Sequence, residues 1–240
     1  KESHSSDTLA PMPLLALTLL LASAVLHTLW NLLLKRTEEK HLVTWWAVLV
    51  GAGLFVPALF FTGLPDRPVW GLLLASVVVE IAYYLTLASA YSQSDFSLVY
   101  PLARGAAPAL IAVWAAVFLG EELTPGGLLG LAVVVAGLLV LGLTGLLSAR
   151  SARETGCVPR WKGVLLAALV AVLISVYSTI DAAAVRMTAT LPYAILVFLL
   201  APVLTAPLVV ARYRGRLGDI WHRQPWRILS IGLLTVTAYL

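Results

Sequence analysis

The chain has 240 residues, 60% of them hydrophobic and only 12% charged, with a mean hydropathy of +0.94. Soluble domains carry about 25% charged residues, so a water-soluble fold of this length is excluded, whereas a bilayer accepts the excess apolar surface. The net charge of +4 comes from Lys and Arg lying between apolar segments, which reads as loops beside lipid headgroups and not as a nucleic-acid surface. Cys157 is the only cysteine, which excludes an intrachain disulfide, a CxxC pair and a cysteine metal site.

A helix needs about 20 apolar residues to cross a bilayer. The first run, 13–34, is too long for a signal-peptide core and ends in Lys35-Arg36, so it reads as a retained helix. Six more segments qualify, 43–63, 69–90, 97–119, 125–147, 162–184 and 191–211, and an eighth opens at Trp226 and is still apolar at Leu240. The runs are continuous and not alternating, which argues against a β-barrel. Gly, Pro and charge mark the connections, as in 63–68 and in the Glu121-Glu122 turn. Trp45, Trp46, Trp70, Trp161, Trp221 and Trp226 stand near segment ends, where an interfacial belt places them.

The chain also repeats itself. His27, Asn31 and Arg36 match Tyr177, Asp181 and Arg186 at an offset of 150, and Trp70 and Ala82-Tyr83 match Trp226 and Ala238-Tyr239 at 156. The expected fold class is therefore all-α, multi-pass and transmembrane, an inverted repeat of two five-helix units. The first unit covers 1–147, an inter-repeat loop 148–161, and the second unit 162–240, truncated in its third helix. Ten helices are expected for the whole, about seven and a half of them within this chain. Of fifteen Lys and Arg other than Arg104, twelve follow segments one, five and seven, which puts the amino terminus outside the cytoplasm by the positive-inside rule.

Ionisable side chains deep in apolar spans are costly and mark function or pairing. Glu80 lies at the middle of the third segment, with Tyr84 and Tyr91 near the same face at helical spacing. Arg104 lies in the fourth segment between Pro101 and Pro108, two helix-kink positions that free backbone carbonyls on one side. His27 and Asn31 share a face of segment one, and Tyr177 and Asp181 share one of segment six. Two readings compete for Glu80 and Arg104: a structural ion pair, or an arginine facing a cavity that binds a carboxylate or phosphonate, with Glu80 as counter-charge or proton acceptor. For Asn31, Asp181 and His27 the plainer reading is hydrogen bonding between helices.

The run from Asp95 to Pro108, with Tyr100-Pro101-Leu102-Ala103-Arg104-Gly105 at its centre and Gly120-Glu121 after it, resembles the fourth-helix signature of the drug/metabolite transporter superfamily, EamA branch. Segment one, His27-Thr28-Leu29-Trp30-Asn31 through Lys35-Arg36, looks like a subgroup that includes phosphonate-utilisation-associated membrane proteins. The resemblance implies movement of a small metabolite across the cytoplasmic membrane, and a substrate cavity that includes Tyr100. It also implies cytoplasmic termini, against the charge count, so orientation stays open. Alternating access requires no cofactor, catalytic residue or metal. A small-molecule substrate and membrane lipid are the expected partners, with a coupling proton and a homodimer left open. The alternative is a flippase for a lipid-linked headgroup. An intramembrane enzyme ranks below both, because no Gly-x-Ser-x-Gly elbow, HExxH or acidic dyad of protease type is present.

Overall fold

A computed structural model describes residues 14–94, 96–118, 120, 124–151 and 160–239. The polar amino terminus, the Glu121-Glu122 turn and most of the loop 148–161, with Cys157, lie outside the described residues. Described residues form helices and turns, with no strand among them.

Helix α1 spans Leu14–Lys35 and α2 spans Lys40–Phe55. Pro57 turns the chain through a short 3-10 segment, Val56–Ala58, into α3, Leu59–Thr62, and Gly63 ends that run at φ 77°, which few residues besides glycine adopt. Helix α4 is Trp70–Gln93, α5 Phe96–Phe118, α6 Pro125–Ser151, α7 Arg160–Ala184 and α8 Thr190–Tyr213. Proline opens α6, and it opens the last helix, α10 (Pro225–Tyr239), at the position where its missing N–H is harmless. Among the described residues, six runs are long and apolar enough to cross a membrane: Leu14–Lys35, Lys40–Thr62, Arg67–Gln93, Leu98–Phe118, Trp161–Ala184 and Thr190–Tyr213. In α6 the apolar stretch counted among described residues is shorter, Pro125–Leu138.

The predicted segments lie within a few residues of these helices. One element escaped the sequence: α9, Leu217–Arg223, within the basic loop after α8. It is held by Ile220, which is buried, and by the Trp46 indole, which donates to the Leu217 carbonyl at 3.2 Å and lies 5.3 Å from the Trp221 ring. A seven-residue helix in which two charges and a histidine stand among four apolar residues has no span-like signature.

Burial runs opposite to that of a soluble protein. Phe60, Phe61 and Leu208 lie out on the surface, whereas Asn31, Ser76, Glu80 and Thr235 are buried. That is the arrangement lipid favours. Helix α7 packs on α4 and α5, while α10 packs on α1 and α2, and α8 packs on α2 and α4. The α2–α10 contact is the tightest in backbone terms: a Cβ built on Gly51 would lie 2.4 Å from the Gly232 carbonyl oxygen, and one on Gly232 would lie 2.3 Å from that of Ala47. Such close approach is how helices associate where lipid supplies no hydrophobic drive.

The ends of the bundle also sort by charge. Arg227 donates to the Arg36 carbonyl, Arg216 pairs with Glu39, and Lys35 donates to the Tyr91 and Ser94 carbonyls at 2.7 and 2.6 Å. Lys35 thereby satisfies carbonyls at the α4 carboxyl terminus, a favourable place for a cation. Asp66, beside Arg67, bonds through its N–H to Thr188 near Arg186 at the other end.

Candidate functional site

Arg104 reaches inward from α5. Its Nη2 lies 3.3 Å from His27 Nδ1 and 3.3 Å from the Tyr83 hydroxyl, and its guanidinium carbon stands 6.0 Å from the Trp30 ring centre. The Trp30 indole also donates to His27 Nδ1, at 3.0 Å. Since indole and guanidinium can only donate, Nδ1 accepts from both and the ring proton sits on Nε2. Tyr239 meets His27 edge-on at 4.7 Å, and its hydroxyl bonds to that of Tyr177. Tyr177 in turn lies 5.5 Å from the Tyr83 ring. The arginine is thus ringed by an imidazole, an indole and phenols from α1, α4, α7 and α10.

The Glu80–Arg104 ion pair expected as the plainer reading is not formed. Arg104 turns to His27 and Tyr83, whereas the Glu80 Oε2 has no hydrogen-bond partner. The cause is helix rotation. Ser76, one turn before Glu80 on α4, donates to Asp181 Oδ1 at 2.6 Å, so this face of α4 is turned to the acidic end of α7. Tyr83, three residues beyond Glu80, takes the arginine instead. Tyr193 of α8 also donates to Asp181 Oδ1, at 2.7 Å. Replacing Asp181 with Ala is expected to leave the Ser76 and Tyr193 hydroxyls unsatisfied and lower stability by about 1–3 kcal/mol. Asp181→Asn keeps an acceptor oxygen and should hold most of it, a contrast read from thermal unfolding of detergent-solubilised protein.

Asn31 is fully engaged within the bundle: its Nδ2 donates to the His27 carbonyl at 2.7 Å, and its Oδ1 accepts from the Tyr91 hydroxyl at 2.6 Å. It clamps α1 to α4. Tyr91→Phe should strand the buried Asn31 oxygen and cost about 1–3 kcal/mol, again read as a lower unfolding midpoint. Tyr100 bonds to the Thr28 hydroxyl at 2.9 Å and ties α5 to α1. Helix α5 runs on through Pro101 and Pro108. Two buried polar atoms one turn apart on α4, Glu80 Oε2 and the Tyr84 hydroxyl, meet no partner. Such orphans are costly and point to a functional surface.

A cavity of about 350 Å³ lies beside this cluster, between α2, α4 and α8. Of the site residues expected from sequence, only Tyr84 lines it. Sequence reasoning left Trp30, Ser76, Tyr83, Tyr193 and Tyr239 out of the site. Trp30 and Ser76 carried a usable signal, standing three and four residues from His27 and Glu80, and Tyr83 and Tyr239 already matched each other in the repeat. Tyr193 carried none, because only packing brings α8 to Asp181.

Apolar spans around a closed polar cluster define a multi-pass integral membrane protein. The EamA-like transporter family profile matches residues 14–143, and the chain belongs to that family. It is a membrane transporter of the drug/metabolite type, a group of transporters and not enzymes. A crystal structure of a protein is similar at 23% identity and a TM-score of 0.59, covering 92% of this chain and 78% of that one, a likeness of fold alone. No curated protein matches.

Proposed function

We propose that the chain carries a small anionic metabolite, an amino-acid-like carboxylate or a phosphonate, across the cytoplasmic membrane by alternating access, with Arg104 holding the anionic group. One observation carries this reading. Arg104 is held by an imidazole, a phenol and an indole face instead of a carboxylate, so its charge is left for a ligand. Binding then replaces 3.3 Å contacts from the guanidinium to neutral His27 and Tyr83 by bonds to an anion.

The repeat supports a site between two halves. The offsets exchange His27 with Tyr177 and Tyr83 with Tyr239, and the contact of His27 with Tyr239 has its counterpart in that of Tyr177 with Tyr83. Likewise α1 packs on α10 as α7 packs on α4. A two-fold relation of this kind is what lets one half rock against the other around a central site.

A coupling proton would reside on the acidic pair. Glu80 lies within electrostatic reach of Asp181 and of the phenols of Tyr83, Tyr84, Tyr177, Tyr193 and Tyr239, and Arg104 acts on four of those phenols. Proteoliposomes given a pH gradient test this: Glu80→Gln should retain substrate exchange but lose its acceleration by the gradient, and an unchanged response would free Glu80 from coupling. The transport reading itself is tested by uptake of labelled carboxylates and phosphonates, and it fails if no anionic solute moves or competes. The second reading, a flippase, draws on the groove between α2, α4 and α8.

A further inference from the structure

We infer that the groove between α2, α4 and α8 is a resident site for one anionic phospholipid, its acyl chain along the apolar wall and its phosphate on Arg212 and His41. The groove is walled by Leu42, Val48, Ile81, Leu85 and Val209, and holds about 350 Å³. Leu85 and Leu208, more than half exposed, border it on the side that faces lipid. The Trp45 indole, also in its lining, donates to the Pro202 carbonyl at 2.9 Å and ties α2 to α8.

The charge lies at one end. Helix α2 begins at Lys40 and α8 finishes at Tyr213, so His41 and Arg212 stand together at the membrane edge, near enough for Arg212 and Lys40 to act on His41 electrostatically. Arg212 contacts the Tyr213 ring at 5.8 Å, while Glu39 is spent on Arg216. Basic pockets between membrane helices select anionic headgroups, and an apolar slot leading away from the cations matches the acyl chain that follows a phosphate. Deeper in the groove is Tyr84, nine-tenths buried, whose hydroxyl meets no partner. Its ring stands 5.0 Å from that of Tyr83, which contacts Arg104. An occupant of the groove therefore touches the wall of the central cluster without being its substrate.

The test uses the full chain in detergent with phosphatidylglycerol or phosphatidylcholine of identical acyl chains, read by native mass spectrometry and by thermal unfolding. Phosphatidylglycerol should be retained at about tenfold lower concentration than phosphatidylcholine. The double variant Arg212→Ala/His41→Ala should erase that preference, as should most of Arg212→Gln alone if the double variant folds poorly. Arg223→Ala, at the same end but outside the groove, should leave it intact. Equal retention of the two lipids, or an equal loss in Arg223→Ala, overturns the proposal. So does protein-dependent movement of labelled phosphatidylglycerol between leaflets of proteoliposomes, which would make the groove a transport path.

Discussion

Arg104→Ala is expected to lower transport of an anionic substrate roughly ten- to a hundredfold, because a hydrogen bond to a charged group contributes about 1.5–3 kcal/mol. The folded protein should survive. His27 Nδ1 still accepts from Trp30, and no buried carboxylate loses a counter-ion, since none pairs with Arg104 among the described residues. Arg104→Lys keeps the charge but loses the planar fork, and should fall between wild type and alanine. Initial rates in proteoliposomes, beside size-exclusion and unfolding profiles of the same preparations, separate lost binding from lost fold. Transport at the wild-type rate in Arg104→Ala would remove the arginine from the substrate's path.

The second large effect is on folding. Gly51→Val should destabilise the chain by about 3 kcal/mol, at or beyond the upper end of ordinary overpacking. A Cβ at residue 51 meets the Gly232 carbonyl oxygen at 2.4 Å, the carbonyl carbon at 2.7 Å and Cα at 2.9 Å, all main-chain atoms that cannot rotate away. Helices α2 and α10 must part, and the van der Waals contact that holds them in lipid goes with it. Gly232→Val should behave alike, since its Cβ would lie 2.3 Å from the Ala47 carbonyl oxygen. Gly53→Ala, in the same helix with nothing within 4 Å, is the control. It should be neutral or raise stability by about 0.5–1 kcal/mol through helix propensity. Equal unfolding midpoints for Gly51→Val and Gly53→Ala would refute the close packing of α2 on α10.

Much of this was legible in the order of residues, and some was misleading. Charge complementarity within apolar spans suggested that Glu80 and Arg104 attract each other. The rotation of α4 sends Tyr83 to the arginine and turns the Ser76 side of the helix toward Asp181. His27 stood out as a histidine in an apolar run, yet its partners come from α5 and α10 as well as from its own helix. Asn31, for which hydrogen bonding between helices was the plainer reading, bonds to Tyr91 of α4 and to the α1 backbone. The groove beneath Arg212 left no mark in the sequence, because leucines and valines that line a slot are indistinguishable from those that face lipid.

The amino acids in their linear order settled that the chain is helical and lives in a bilayer, because span length and missing charge are properties of one segment against one solvent. They also singled out the polar groups that a bilayer penalises. Which of those groups meet was decided by helix rotation and depth, through contacts such as Gly51 on Gly232 and Tyr91 on Asn31. Lipid matches every apolar face of a helix equally well, so hydropathy is blind to rotation, and only close packing and hydrogen bonds between helices select it.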